Sequence, residues 1–311
     1  MGFVKDETPW CGGRLSERVL CLRADNPSPM TYVGTNTYIV AEPGSDACAV
    51  IDPAPAGAQV QCILDTCRAE GLRIEAIVAT HDHPDHIEGI PELAAATGAP
   101  VFAPRLSAIE EMLEKGTAEV PADCEEACAV HPAKANFSVG ESARPSAARL
   151  QLNELPLGPF VPFEGAPQFE VIALPGHSED SVGLLLPSEK VLFTGDVLFR
   201  HGPTVVFHPD GALGSYFETL NKLQHLVEEG KVLRFYPGHG YPIEDPLPII
   251  EATRAHREER LEQVEEALAQ GVPANPDALF EVVYQGVDPA LRAPSIRSIQ
   301  AQLKYLGINA R

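Results

Sequence analysis

The segment Thr80-His81-Asp82-His83-Pro84-Asp85-His86 places three histidines and two aspartates within six residues. It follows directly on Ile74-Glu75-Ala76-Ile77-Val78-Ala79, a short run rich in β-branched residues that reads as a buried strand. The histidines are therefore expected in the loop at that strand's C-terminal end, where open α/β sheets place their ligands. At a spacing of two, His81 and His83 can point to one side of an extended backbone. Pro84 turns the chain, so that Asp85 and His86 are presented at a second point nearby. Neutral imidazole and carboxylate are the donors that zinc and other first-row divalent ions take.

Outward from this loop, apolar runs predict strands at 17–23, 36–41, 47–51, 101–102, 169–174, 181–186, 190–193 and 232–236. Helical spacing predicts helices at 57–70, 91–98, 109–113, 213–227, 249–270, 277–285 and 294–306, the first closed by Gly71. Strands and helices alternate to about residue 245, and helices alone follow. The chain thus divides into an α/β domain, 1–250, and a helical domain, 251–311. Residues 104–167 show no clear period over most of their length and are expected to be an insertion or cover loop. Three further polar residues stand behind strands and beside glycines: His177 after Pro175-Gly176, Asp196 after Thr194-Gly195, and His239 after Pro237-Gly238. Glycine allows the tight turn that brings such a side chain inward.

Composition narrows the function. The chain has 311 residues, 44% of them hydrophobic, enough for a sizeable core, and no run approaches the length of a membrane span. The formal charge of −21 repels nucleic acid and anionic membranes at long range. The first residues lack a signal-peptide core, so a cytoplasmic location is the expectation. The seven cysteines are irregularly spaced and read as reduced, mostly buried thiols. Cys124, Cys128 and His131 have ligand-like spacing without a matching second half.

The motifs Thr80-His-x-His-x-Asp-His86, Pro175-Gly-His177, Thr194-Gly-Asp196 and Pro237-Gly-His239 together resemble those of the metallo-β-lactamase-fold superfamily, over about residues 17–245. The resemblance implies an αβ/βα four-layer sandwich with the site at one edge of the two sheets. It implies that His81, His83 and His177 hold one divalent ion. Asp85, His86 and His239 would hold another, with Asp196 bridging. Zinc is the expected metal, with manganese or iron compatible with the donors. A water made acidic by two cations is hydroxide at neutral pH, and Asp85 can also take or give a proton during the reaction.

Within the superfamily, Asp196 argues against antibiotic hydrolysis. Gly34-Thr35-Asn36-Thr37-Tyr38, Tyr236-Pro-Gly-His-Gly240 and His256-Arg257-Glu258-Glu259-Arg260 are similar to the lactamase-beta-like group that contains a mitochondrial endoribonuclease. That group has a small winged-helix-like C-terminal domain; Phe280 to Leu306 is the similar stretch here. Fungal polyketide thioesterases share much of this pattern, and the basic glutathione-binding tail of glyoxalase II is not found. Two enzyme readings follow. The first is an endoribonuclease-like phosphodiesterase acting on single-stranded RNA, which the resemblance favours and the net charge opposes. The alternative is hydrolysis of a small thioester or ester. A non-catalytic metal module is disfavoured, because these ligands leave room for water. Tyr32, Asn36, Arg200 and His201 are the expected substrate contacts, by proximity in sequence.

Overall fold

The computed structural model of the chain describes residues 10–115, 150–287 and 291–308. Seven strands form one sheet in chain order: β1 (Gly12–Arg14), β2 (Val19–Arg23), β3 (Asn36–Val40), β4 (Ala47–Ile51), β5 (Arg73–Val78), β6 (Val101–Ala103) and β7 (Leu152–Glu154). Pairing is antiparallel from β1 to β4 and parallel from β4 to β7. Parallel neighbours need a crossover. Between β4 and β5 it is α1 (Ala58–Ala69); between β5 and β6 it is α2 (Pro84–Ile87) and α3 (Ile90–Thr97).

A five-stranded sheet contains β8 (Gly158–Phe160), β9 (Phe169–Ala173), β10 (Val182–Leu186), β11 (Val191–Gly195) and β12 (Arg234–Pro237), in the order β12-β11-β10-β9-β8. Only its β11–β12 pair is parallel, crossed over by α5 (Leu213–Glu228).

Side-chain alternation assigns each strand residue to a layer. Tyr38, Val40, Ile51 and Val78 point from the first sheet into a core shared with Val171, Leu184, Phe193 and Tyr236 of the second. Their neighbours Ile39, Val50 and Ile77 point the other way, onto Ile63 of α1 and Leu93 of α3. On the far side of the second sheet, Leu185, Leu192 and Phe235 meet Tyr216 and Leu220 of α5. The order is helix, sheet, sheet, helix. Both sheets are covered on both faces, which is why β3, β4, β10 and β11 are buried at every position and why β4 and β10 read as continuous apolar runs. A register slip of one residue would exchange the two apolar sets of a strand, so the layers fix the register.

The edge of the sandwich is pinned by side chains of β3. Tyr38 donates from its hydroxyl to the Pro237 carbonyl at 2.7 Å. Asn36 donates from Nδ2 to the Pro237 and Gly240 carbonyls at 2.9 and 2.8 Å. The two sheets are thereby clasped where the metal-ligand motifs meet.

Two parts of the chain differ from the plainest reading of the pattern. Residues 104–167, read as an insertion, supply α4 (Ser107–Lys115), whose Ile109 is fully buried, together with β7 and β8, one strand for each sheet. These strands are three residues long, too short to show a period. Residues 116–149, with Cys124, Cys128 and His131, lie outside the described residues.

After β12 the described residues form α6 (Pro246–Ala269), α7 (Pro276–Val283) and α8 (Arg292–Tyr305). Ile249, Ile250 and Leu261 of α6 and Ala301 of α8 join the apolar layer over the second sheet. Val264, Leu279, Phe280, Ile299 and Leu303 close a smaller core among the three helices. Among the described residues, no helix is long and apolar enough to cross a membrane.

Candidate metal centre

The loop after β5 delivers its histidines through a single helical turn. His83 is the extended N-cap residue of α2 and Pro84 occupies the first helical position, where its missing N–H costs nothing. Asp85 and His86 follow on that turn, and their donor atoms come within 4.0 Å of each other. The second sheet delivers its three residues singly, His177 beyond β9, Asp196 beyond β11 and His239 beyond β12. The donor atoms fall into two groups, each with all its atoms within 4.8 Å of one another: His81, His83 and His177; and Asp85, His86, Asp196 and His239. Asp196 stands between them. Its Oδ1 is 3.1 Å from His86 Nε2 and its Oδ2 is 3.2 Å from His239 Nε2 and 3.9 Å from His177 Nε2.

Every one of these histidines is oriented by a contact at its other nitrogen. His81 Nδ1 lies 3.0 Å from Thr80 Oγ1, and that hydroxyl donates to Asp52 Oδ2 at 2.7 Å. His86 Nδ1 lies 2.9 Å from the same Asp52 oxygen. His83 Nε2 lies 2.9 Å from Asp210 Oδ2, His177 Nδ1 lies 2.8 Å from the Val205 carbonyl, and His239 Nδ1 lies 3.3 Å from the Gly34 carbonyl. A histidine that donates from one nitrogen presents the lone pair of the other. The tautomers therefore direct Nε2 of His81, His86, His177 and His239, and Nδ1 of His83, toward the centre. The space itself is kept by Gly238. A Cβ there would lie 2.3 Å from Asp196 Oδ1 and 2.5 Å from His86 Cε1.

The electrostatics favour cations. Burial holds His177 neutral, pushed down to about 4, and burial likewise lowers His81 well below the usual imidazole value. Burial opposes ionisation of Asp196, yet His239 and His86 beside it hold its carboxyl well below the usual range. In the protein alone, His81 Nε2 is a buried atom without a hydrogen-bond partner, and His86 Nε2 and His239 Nε2 face only the carboxylates of Asp196 and Asp85. Buried polar atoms are rarely left so. Atoms of this kind, converging as imidazole and carboxylate donors, fit a pair of divalent cations.

The sequence profile of the metallo-beta-lactamase superfamily matches residues 30–239, a span that begins ahead of β3 and ends on His239. The chain belongs to the metallo-beta-lactamase superfamily. A superfamily protein of Thermus thermophilus has the same fold, with a TM-score of 0.66 at 22% identity over 94% of both chains. Among curated proteins, the beta-lactamase-like protein 2 homolog of Caenorhabditis elegans is 25% identical over 94% of this chain and 85% of its own. A hydroxyacylglutathione hydrolase of Methylococcus capsulatus is 29% identical over 87% of each chain. An atrochrysone carboxyl ACP thioesterase of Aspergillus fumigatus is 29% identical over 79% of this chain and 64% of its own. None of these relatives is named an endoribonuclease.

In this member of the superfamily a cavity of about 440 Å3 opens on the centre, with His83, Asp85, His177 and Asp196 in its wall. Of the expected substrate contacts, Tyr32 lines it, edge-on to Phe199 with ring centres 5.4 Å apart. The other three do not. Asn36 is wholly buried and its amide is spent on the clasp between the sheets, with Trp10 Nε1 donating to its Oδ1 at 2.9 Å. His201 packs edge-on to Tyr241 at 5.0 Å, and the Arg200 guanidinium lies over that same ring at 5.6 Å. Nearness along the chain did not translate into nearness to the cavity, because the turn after Asp196 carries Arg200 and His201 around to Tyr241.

Sequence reasoning passed over Asp52, Asp210 and the 204–205 carbonyl. Asp52 carried a signal, being an aspartate that ends a buried strand beside the strand leading to the histidines. It is 2% exposed, has a φ of 53°, and accepts from Thr80 N at 2.8 Å as well as from the Thr80 hydroxyl. Asp210 sits in an irregular segment ahead of α5. Nothing in its neighbours marks it. Arg105 lies between Asp82 and Asp210, at 3.0 and 3.8 Å, and fixes the carboxylate that orients His83.

Proposed function

We propose that the chain is a thioester hydrolase acting through two divalent cations, with zinc the ion this donor set takes most readily and manganese or iron compatible. The observation that carries the reading is the character of the cavity beside the centre. Its wall is largely apolar, with Met30, Tyr32, Phe199, Val205 and Phe207, and among the described residues Arg297 is the one lysine or arginine on it. Strand-tracking RNA sites use rows of lysine and arginine with stacked aromatics, and the described residues of this wall hold no such row. The relatives point the same way. One is named a hydrolase of hydroxyacylglutathione, an S-acyl compound, and another a thioesterase. The thioester reading therefore stands ahead of the endoribonuclease reading.

Two cations in these groups would supply a Lewis acid for the thioester carbonyl and a water acidic enough to react at neutral pH. The protein's own part is geometric and protic. The five histidines hold their lone pairs on the centre through fixed partners. Asp196 spans both groups with its two oxygens. Asp85, 30% exposed at the cavity wall and 3.2 Å from His239 Nε2, is placed to take a proton from the attacking water and to return it to the leaving sulfur. The apolar wall excludes water from the acyl chain and strengthens every charge interaction inside.

A panel of acyl-thioesters, carboxylic esters, lactones and phosphodiesters, assayed with metal-loaded protein and with Asp196→Ala, tests the reading. Thioester turnover that the variant loses is expected. Phosphodiester turnover by the same preparation, with thioesters untouched, would overturn it.

A further inference from the structure

Arg297 is out of keeping with its surroundings. The protein carries 44 aspartates and glutamates against 23 lysines and arginines, and its other well-placed arginines have partners. Arg292 meets Asp277, Arg105 meets Asp82, and Arg257 donates to the Thr204 carbonyl. Among the described residues, Arg297 has no carboxylate partner. Its guanidinium instead lies over the Phe207 ring, 5.0 Å from the ring centre. The ring covers one face of the guanidinium, the residue is exposed, and no ion pair among the described residues takes its N–H edge. That edge is the part that forks onto a carboxylate or phosphate.

Its place in the fold is equally specific. Arg297 belongs to α8, whose Ser295, Ser298 and Ile299 are buried against the rest of the molecule, so the residue is carried on a docked element rather than a free tail. It lines the same cavity as His83, Asp85 and Asp196. Apart from the metal-binding groups, the only other charge among the described residues of that wall is Glu88. With a formal charge of −21, the protein as a whole repels anions. Arg297 is the one side-chain cation among the described residues of the cavity wall that offsets this locally, away from the metal-binding groups.

We infer that Arg297 is a specificity-determining residue that binds an anionic group, carboxylate or phosphate, carried by the thioester substrate apart from its reacting carbonyl. The inference rests on the thioester reading of the centre. The anion can sit on the acyl side or on the thiol side of the sulfur, and the chemistry of recognition is the same.

The test uses the zinc-loaded full chain. Calorimetry compares two thioethers, which cannot be hydrolysed, one ending in a carboxylate and the other in the corresponding primary amide. The wild-type protein is expected to prefer the carboxylate by about 10- to 100-fold, the worth of a charge-assisted bidentate contact. Arg297→Ala should bring the preference close to one, and Arg297→Lys should keep part of it. Equal affinities in the wild type would overturn the proposal. So would a preference that survives Arg297→Ala, which would place the carboxylate on the metals instead. Turnover then locates the anion. S-succinyl against S-butyryl N-acetylcysteamine puts it on the acyl side, and S-butyryl 3-mercaptopropionate puts it on the thiol side. The side that Arg297 reads should lose its advantage in KM more than in kcat when the arginine is replaced. If thioethers discriminate as expected but no thioester is turned over, Arg297 keeps its role and the hydrolase reading fails.

Discussion

The loop at 80–86 and the three turns at the ends of β9, β11 and β12 supply the two sides of one centre by opposite means. The loop is local. One proline and one helical turn aim His81, His83, Asp85 and His86, and Asp52 and Asp210 only trim their orientation. The turns are assembled. Their residues lie 19 and 43 positions apart in sequence and meet only because β9, β11 and β12 end at the same edge of one sheet. A local motif survives damage to its neighbours better than an assembled one. The turns also depend on the C-terminal helices: Arg257 of α6, 5% exposed, donates to the Thr204 carbonyl, and Thr204 Oγ1 lies 3.2 Å from His177 Nδ1. The loop takes its outer support elsewhere, from Arg105, which meets both Asp82 and Asp210.

Replacement of Asp196, which belongs to one donor group and lies 3.9 Å from His177 of the other, gives the largest expected effect. Asp196→Ala should reduce metal content measured by mass spectrometry from two ions toward one or none. Activity should fall by more than the about 100-fold that marks the loss of an outer partner. Full occupancy of both sites in that variant would break the picture of a bridging carboxylate. Gly238→Ala comes next. Its methyl group would be 2.3 Å from Asp196 Oδ1 and 2.5 Å from His86 Cε1. It should cost the ion of the Asp85–His86–His239 group while sparing His81–His83–His177, leaving one ion per chain.

A milder change sharpens the comparison from the other side. Asp52→Asn keeps the shape but weakens the acceptor for His86 Nδ1 and for the Thr80 hydroxyl behind His81. Metal affinity, followed by competition with a chelator, should drop by about 10- to 100-fold. Because Asp52 serves a histidine of each group, both ions should weaken together. Loss confined to one ion would show that Thr80 does not couple His81 to Asp52.

The smallest expected effect on the centre comes from Arg257→Ala. Leaving the Thr204 carbonyl without its donor costs roughly 1–3 kcal/mol of stability in denaturant unfolding. It should lower metal affinity at the His177 group alone. An equal fall at both groups would mean that the C-terminal helices steady the whole sandwich rather than its turns.

Much of this was legible in the sequence, for identifiable reasons. The histidine-rich loop announces itself because the spacing of two and the proline act over a few residues. The strands announce themselves because burial on both faces forces apolar runs. His177, Asp196 and His239 could be singled out by position, each behind a strand and beside a glycine. β7 and β8 went unread because three-residue strands carry no period. Asn36, Arg200 and His201 were assigned to substrate on nearness in sequence, a quantity the cavity does not respect.

By itself, then, the sequence determined the donor chemistry, the position of most strands and the family. These follow from local spacing and from whether a side chain is apolar, and neither needs coordinates. Tertiary structure alone decided which histidine nitrogens face the centre, because the contacts that fix the tautomers come from Asp52, Asp210, Val205 and Gly34, far away along the chain. It also decided that the cavity is apolar with one guanidinium among the described residues, since Met30, the pair Phe199 and Phe207, and Arg297 come from three separate segments. Contacts between such segments are set by packing the layers together, and no pattern within any one segment encodes them.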